Sequence, residues 1–490
     1  MNTTNERRRW MLKTALGAAA AQCLPQSAAA AAATSGMRRE WQQFKATSQY
    51  GSFLTAIAAM RANGNAASRN SLKFWANVHV NQCPHGAPYF LAWHRGYLYH
   101  FEQQLRIVSG DATLTVPYWD YYAYATLPAE FTDPAPGNPL YLQRSGANVH
   151  GALSLAPFAP GVFNFQHGQA NAFEPRIEDV HNPVHDLIGG VMSTMQSPLD
   201  PIFYLHHASV DRLTHAWALP DGKGIPFSSN PYSSTNSDPY WAGNHVYATG
   251  LTMARYKTLD PGWLGTDYAN TGVPTALPPA PGAGRPAPVS IERPPFRTFR
   301  PSGKRRLSAS RRAIGGVLQP LFDERSISVR LRLDARDAVE VARIVGAQRE
   351  AADDAAAPSA GAIKIVIDRA LTTEDAGEGG FFYAFYLNMP AVIDSLDERE
   401  TSFFATLGAF QIAAASHHGA ARVEFDVTHL LARQKRSDFS EFTLSWLRID
   451  GDNPPSGKAI EAGELRIDLT RDAQPVPALR LPKPAGWYGQ

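Results

Sequence analysis

Cysteine is nearly missing from this chain, with two in 490 residues, Cys23 and Cys83. A disulfide framework is therefore excluded as the source of stability. Charge is sparse as well. Lys, Arg, Asp and Glu make up 18% of the residues and leave a formal net charge of +2, so nothing electrostatic points to nucleic acid or an anionic membrane as partner. The locally basic run from Arg293 to Arg312 reads as a solvated linker. The Ala-rich apolar run near the N-terminus is too short for a membrane anchor. What the chain does have is 44% hydrophobic and 11% aromatic residues, enough for a sizeable core. Its length exceeds the usual range of about 50–250 residues for one domain, so two domains with a connection are expected.

The N-terminus pairs Arg8 and Arg9 ahead of Trp10-Met11-Leu12-Lys13, an apolar stretch and several small-residue cleavage points before Thr34. Residues 1–33 resemble a bacterial twin-arginine export signal, which implies a periplasmic or extracellular protein that folds and takes up its metal before transport. A lipoprotein signal through Cys23 is disfavoured by Gln22, where such signals want a small residue. Removal of the signal would leave Cys83 as the lone cysteine, either inert, reactive, or bonded to something other than sulfur.

Residues 34–273 carry apolar positions at helical spacing, as in 36–62 and 89–108, between loops rich in Pro, Gly and Asn at 132–172 and 219–245. This reads as a mainly helical domain. Nine prolines lie between Pro274 and Pro301, a composition of an extended, semi-rigid connection, so 274–317 is taken as a linker. Beyond residue 318 the period changes to two, as in Ile327, Val329, Leu331, Leu333 and in Ile363, Ile365, Ile367. With "FFYAFYLN" (381–388) and "FTLSWLRID" (442–450), this predicts an antiparallel β-sandwich over 318–490.

Twelve of the fifteen histidines fall between positions 79 and 245, and six form two groups of three. His79 shares a helix face with Trp75, and His94 lies in line with Leu91, Leu98, Phe101 and Leu105, which puts both imidazoles on buried stripes. His85 completes the first group. In "HNPVH", His181 and His185 stand one helical turn apart, so both rings can reach one ion. "DPIFYLHHASVDRL" then offers His206 and His207, which point about 100° apart, and periodicity alone does not choose between them. A single buried histidine is ordinarily satisfied by backbone or carboxylate, but six at once are satisfied together by a metal centre. Imidazole suits zinc, copper, iron and nickel, whereas Mg²⁺ and Ca²⁺ want oxygen ligands. A hydrolytic zinc pair or a facial-triad iron would bring carboxylates into the ligand set. All-histidine coordination fits copper cycling between Cu(I) and Cu(II), and two facing sites could bind O₂.

The motifs "CPHG", "WHRGYLYHFE" (93–102), "PYWDY" (117–121), "HNPVH" and "DPIFYLHH", in this order over roughly 75–217, resemble the tyrosinases and catechol oxidases. This is the binuclear (type-3) copper family that also includes molluscan haemocyanins. The resemblance implies two copper ions, one held by His79, His85 and His94 and one by His181, His185 and His207, with His206, Asp200 and Phe203 supporting them from behind. It also implies a thioether between Cys83 and His85. Asn182 and Glu178, with Glu174 as fallback, would hold the water that deprotonates a phenol, and Met192 to Ser197 would line the rim of the pocket.

The implied activity is ortho-hydroxylation of small phenols and oxidation of o-diphenols to o-quinones with O₂ as co-substrate. Its alternatives are a catechol oxidase, an o-aminophenol oxidase and an oxygen carrier. By family analogy the C-terminal sandwich would be a lid that inserts a plug residue over the copper pocket.

Overall fold

The computed structural model describes residues 36–169, 171–218, 240–280, 290–351, 361–416 and 420–471. The expected export signal lies outside them. Among the described residues no helix is long and apolar enough to cross a membrane.

Among the described residues, the five longer helices that build the first half are α1 (Gln49–Ala62), α2 (Leu72–Gln82), α3 (Phe90–Ser109), α4 (Phe173–Ile188) and α5 (Ile202–Ala218). Their ends follow local chemistry. The Ser71 side chain caps α2 by accepting the Lys73 N–H, and α3 stops at Gly110, whose φ of +73° suits glycine. The segment 36–62 is not one helix. It opens with strand β1 (Gly36–Arg38), which pairs in parallel with β2 (Thr266–Tyr268) and brings the two ends of the helical region together.

A buried charge network locks that closure. The Arg38 guanidinium donates to Glu102 at 2.9 Å, to the Tyr268 hydroxyl at 2.8 Å and to Asp211 at 3.4 Å, and Arg95 donates to Asp211 at 2.6 Å. Arg38 is 1% exposed, and burial of this kind is tolerable because every charge in the network has a partner.

The second half is sheet-rich, with β3 (Arg311–Leu318), β4 (Ile327–Arg332), β5 (Ala362–Thr372), β6 (Phe381–Leu387), β7 (Phe403–Gly408), β8 (Ala421–Asp426), β9 (Glu441–Asp450) and β10 (Glu464–Thr470). One antiparallel sheet runs β4-β9-β6-β7 and the other contains β3-β10-β5, with β8 also on β5. Side chains from both sheets, among them Ile314, Val329, Ile363, Phe385 and Trp446, share one hydrophobic core. Sheet pairing reaches back through β3 to Pro301, so the basic run is largely structured. Arg305 binds Glu464, Arg311 binds Glu424 and Asp468, and Arg312 binds Asp337.

Strand β6 explains its own unbroken apolar run. Phe381, Tyr383, Phe385 and Leu387 face the core between the sheets, while Phe382, Ala384 and Tyr386 join the core of the helical region. A strand buried on both faces has no polar positions to alternate with. Around it the halves are joined by backbone. Gly380 N–H donates to Asp186 O at 2.7 Å, Gly190 N–H to Glu378 O at 2.8 Å, and Ala147 N–H to the Asp452 carboxylate at 2.7 Å.

Candidate metal centre

Helix α2 supplies His79, the turn after it Cys83 and His85, α3 His94, α4 His181 and His185, and α5 His206 and His207. The possible ligand atoms of His79, Cys83, His85 and His94 lie within 4.8 Å of one another, and so do those of His181, His185, His206 and His207. The clusters face each other. His94 stacks on His207 with ring centroids 4.1 Å apart, and His85 lies 6.0 Å from His181. The sequence therefore brought together what the helices bring together in space.

Hydrogen bonds at Nδ1 decide what each ring offers. His79 Nδ1 lies 2.8 Å from Met195 O, His94 Nδ1 2.8 Å from Phe90 O, and His185 Nδ1 2.7 Å from Met192 O. A carbonyl only accepts, so these nitrogens carry the proton and leave Nε2 as a bare lone pair. His181 is placed likewise by Asn182 Oδ1 at 2.9 Å. Burial pushes the rings toward neutrality, His181 down to about 3 and His94, His185 and His207 well below the usual histidine range. The Nε2 atoms of His181, His185 and His207 nevertheless sit 3.1, 3.2 and 3.4 Å apart. Three ring nitrogens converging at that range, with the His181 and His185 lone pairs both aimed inward, make a donor set that fits a nitrogen-loving metal.

That triangle also separates the adjacent histidines. His207 points its Nε2 at the other two, whereas His206 lies flat against His181 with centroids 5.0 Å apart and an interplanar angle of 18°. Phe203 packs beneath both groups, 4.2 Å from His207 and 5.1 Å from His79. Asp200 is the exception to the expected support. Its carboxylate takes a two-pronged bond from Arg144 at 2.7 Å per contact and caps α5 through the Ile202 N–H, and none of its hydrogen bonds goes to an imidazole. It starts the helix that carries His207, which is a less direct role.

Cys83 Sγ lies 3.5 Å from His85 Nε2 and 3.4 Å from His94 Nε2, and burial pushes its thiol well up. Glu178 accepts the Gly86 N–H at 2.7 Å and contacts His167 Nε2 at 2.6 Å. Glu174, one turn earlier, accepts from Leu91 N, His167 N and the Tyr240 hydroxyl, and burial raises it to about 7. Glu174 thus ties α4 to the start of α3 rather than facing the clusters. Met192, expected on the rim, is fully buried and holds His185 through its carbonyl.

Two functional residues escaped the sequence. Phe410, in helix α6 (Ala409–Ala415) of the sheet-rich half, stacks on His185 at 4.0 Å and 17°, with His85 at 5.1 Å and His181 at 5.6 Å edge-on. Its N–H donates to Asp186 Oδ1 at 2.8 Å. At Gly408 any Cβ would run into that carboxylate, so only glycine lets the segment come so close. No spacing rule relates residues 410 and 185. His167 is the second, and its place in a loop ahead of α4 gave no periodic signal.

The common central domain of tyrosinase matches residues 38–161 and 148–219. Over 194 residues the chain is 33% identical to a tyrosinase of Streptomyces glaucescens, covering 30% of this chain and 69% of that protein. It is 34% identical over 194 residues to a tyrosinase of Hahella sp., and 32% identical over 225 residues to a G-type haemocyanin of Enteroctopus dofleini. These two matches span 31% and 38% of this chain but only 40% and 8% of those longer proteins. Latent apple tyrosinase superposes with a TM-score of 0.50 at 17% identity, over 89% of this chain and 97% of that one, and shows the same fold of helical core and sheet-rich C-terminal region. With the histidine clusters lying inside the matched segment, the chain belongs to the tyrosinase family.

Proposed function

We propose that this protein is a copper-dependent tyrosinase, which hydroxylates small monophenols at the ortho position and oxidises o-diphenols to o-quinones with O₂. The observation that carries the reading is the convergence of buried imidazole nitrogens in two facing clusters. His79, His85 and His94 would hold one copper, and His181, His185 and His207 the other. When bound, the metal pair supplies activation of O₂ and takes up the electrons of the diphenol.

The chain does the rest. Phe410 occupies the position a phenol ring would take, against the face of His185 and the edges of His85 and His181. Phe90 and Phe203 wall the clusters off from water and keep the imidazoles from turning. Asn182 orients His181, and with Glu178 it would hold the water that passes the phenol proton to a Glu178 oxygen. A thioether from Cys83 would fix the His85 ring. Residues 318–490 would act as a lid with Phe410 as its plug, and export through the twin-arginine route follows from residues 1–33.

The same two histidine clusters would serve a second reading, a catechol oxidase without hydroxylation. Oxygen uptake by the copper-loaded protein distinguishes them. Uptake with tyrosine and with catechol is expected, catechol alone would establish the second reading, and reversible oxygenation without turnover would mark a carrier. Metal analysis returning one ion per chain would refute the binuclear site.

A further inference from the structure

The carboxylates of Glu174 and Glu178 stand one turn apart on α4 and grip the same residue. Glu174 accepts the His167 backbone N–H at 2.9 Å, and Glu178 contacts the His167 ring Nε2 at 2.6 Å. Glu178 also accepts the Gly86 N–H, next to His85, so it spans from α4 to the turn of the first cluster. Backbone and ring of His167 are thus both tied to the helix that carries His181 and His185. The Glu178 side chain is 5% exposed and that of His167 19%, so the imidazole links a buried carboxylate to solvent.

We propose that His167 is a positioning residue for phenol hydroxylation, holding the Glu178 carboxylate aimed beside the His85 turn and giving the phenol proton a path outward. This rests on the reading of Glu178 as the acceptor of the phenol proton. Burial pulls the His167 ring down, but the Glu178 carboxylate, with Glu174 and Asp179 behind it, outweighs that and leaves the ring above its usual value. Burial raises Asp179 itself to about 8 against the opposing charge of Arg176, with Glu400 also nearby, and the Cys83 thiol is the other titratable group that feels Glu178. Oxidation of an o-diphenol makes less use of a base of this strength, since its first hydroxyl is the more acidic one and no hydroxylation precedes electron transfer. The two activities should therefore respond differently.

The test compares His167→Gln, which keeps a donor without the charge, with Glu178→Gln in the copper-loaded full-length protein. With the ring that aims Glu178 removed, the ratio of tyrosine hydroxylation to catechol oxidation should fall several-fold in His167→Gln. Catechol oxidation should fall less than hydroxylation when both are compared at equal copper content. Independently of copper, imidazole NMR of the metal-free protein should show the His167 resonance titrating above the normal histidine range in the parent and falling back in Glu178→Gln. Glu178→Gln with an unchanged ratio of hydroxylation to oxidation would overturn the base assignment and this inference with it. A reduced ratio in Glu178→Gln beside an unchanged ratio in His167→Gln, or a His167 titration indifferent to Glu178, would overturn the role of His167 alone.

Discussion

Phe410→Ala tests how the C-terminal half controls the site. The ring is fully buried, and truncating a buried Phe to Ala typically costs about 3–5 kcal/mol. Here the space opened is lined by imidazoles and admits water, which recovers part of the loss, so about 2–3 kcal/mol is expected against the closed arrangement. At about 1.4 kcal/mol per tenfold, that raises the open fraction roughly 30- to 150-fold. The remaining backbone bonds, Gly380 N–H to Asp186 O and Gly190 N–H to Glu378 O, keep the two halves attached, so unfolding should stay cooperative. The assay is initial oxygen uptake on catechol by parent and variant at equal copper content, with KM and kcat separated. A rise in kcat per copper is expected. A variant that loses stability by the expected amount yet oxidises catechol no faster than the parent would refute Phe410 as the plug.

Other consequences follow from single groups. If Cys83 is bonded to the His85 ring, the mature copper-loaded protein will weigh two hydrogen atoms less than its sequence requires and will not react with a thiol reagent after denaturation; a free thiol there refutes the cross-link. Arg38→Met removes the cation shared by Glu102 and Asp211, which keep only Arg106 and Arg95, and breaking a buried pair costs up to about 3–5 kcal/mol, so a fall in melting temperature is expected, with little change if the network is not cohesive. Glu174 keeps its proton in the folded chain up to about pH 7, whereas its ordinary value is 4.5. Because the folded state then binds a proton that the unfolded state has lost, this group removes stability as pH rises from about 4.5 to 7, at up to about 1.4 kcal/mol per unit. Glu174→Gln cannot titrate, so its stability relative to the parent should improve across that window in denaturant titrations, and parallel pH profiles would contradict the assignment.

The local periods carried much of this protein in the chain itself. His181 and His185 one turn apart, His79 in step with Trp75, and the alternation of Ile327, Val329 and Leu331 each state which side of an element is buried, because helix and strand geometry repeat over a few residues. Those signals were enough to expect a helical half with two histidine groups and a sheet-rich half after it. What they leave undecided is whatever depends on segments meeting from far apart. Whether His206 or His207 joins the triangle depends on how α5 is rotated against α4, and that rotation is set by packing around Phe203 rather than by α5 alone. Asp200 turned to Arg144 because a buried carboxylate goes to the nearest cation. Arg38 meets Tyr268 and Asp211, Phe410 meets His185, and Glu178 meets His167 across loops and between halves of the chain, where no spacing relates the partners. The histidine pattern is thus written in short-range order, while the Phe410 ring over it and the His167 partner of Glu178 arise from long-range contact, since a hydrogen bond or a stacked ring is specific in space but leaves no period in the sequence.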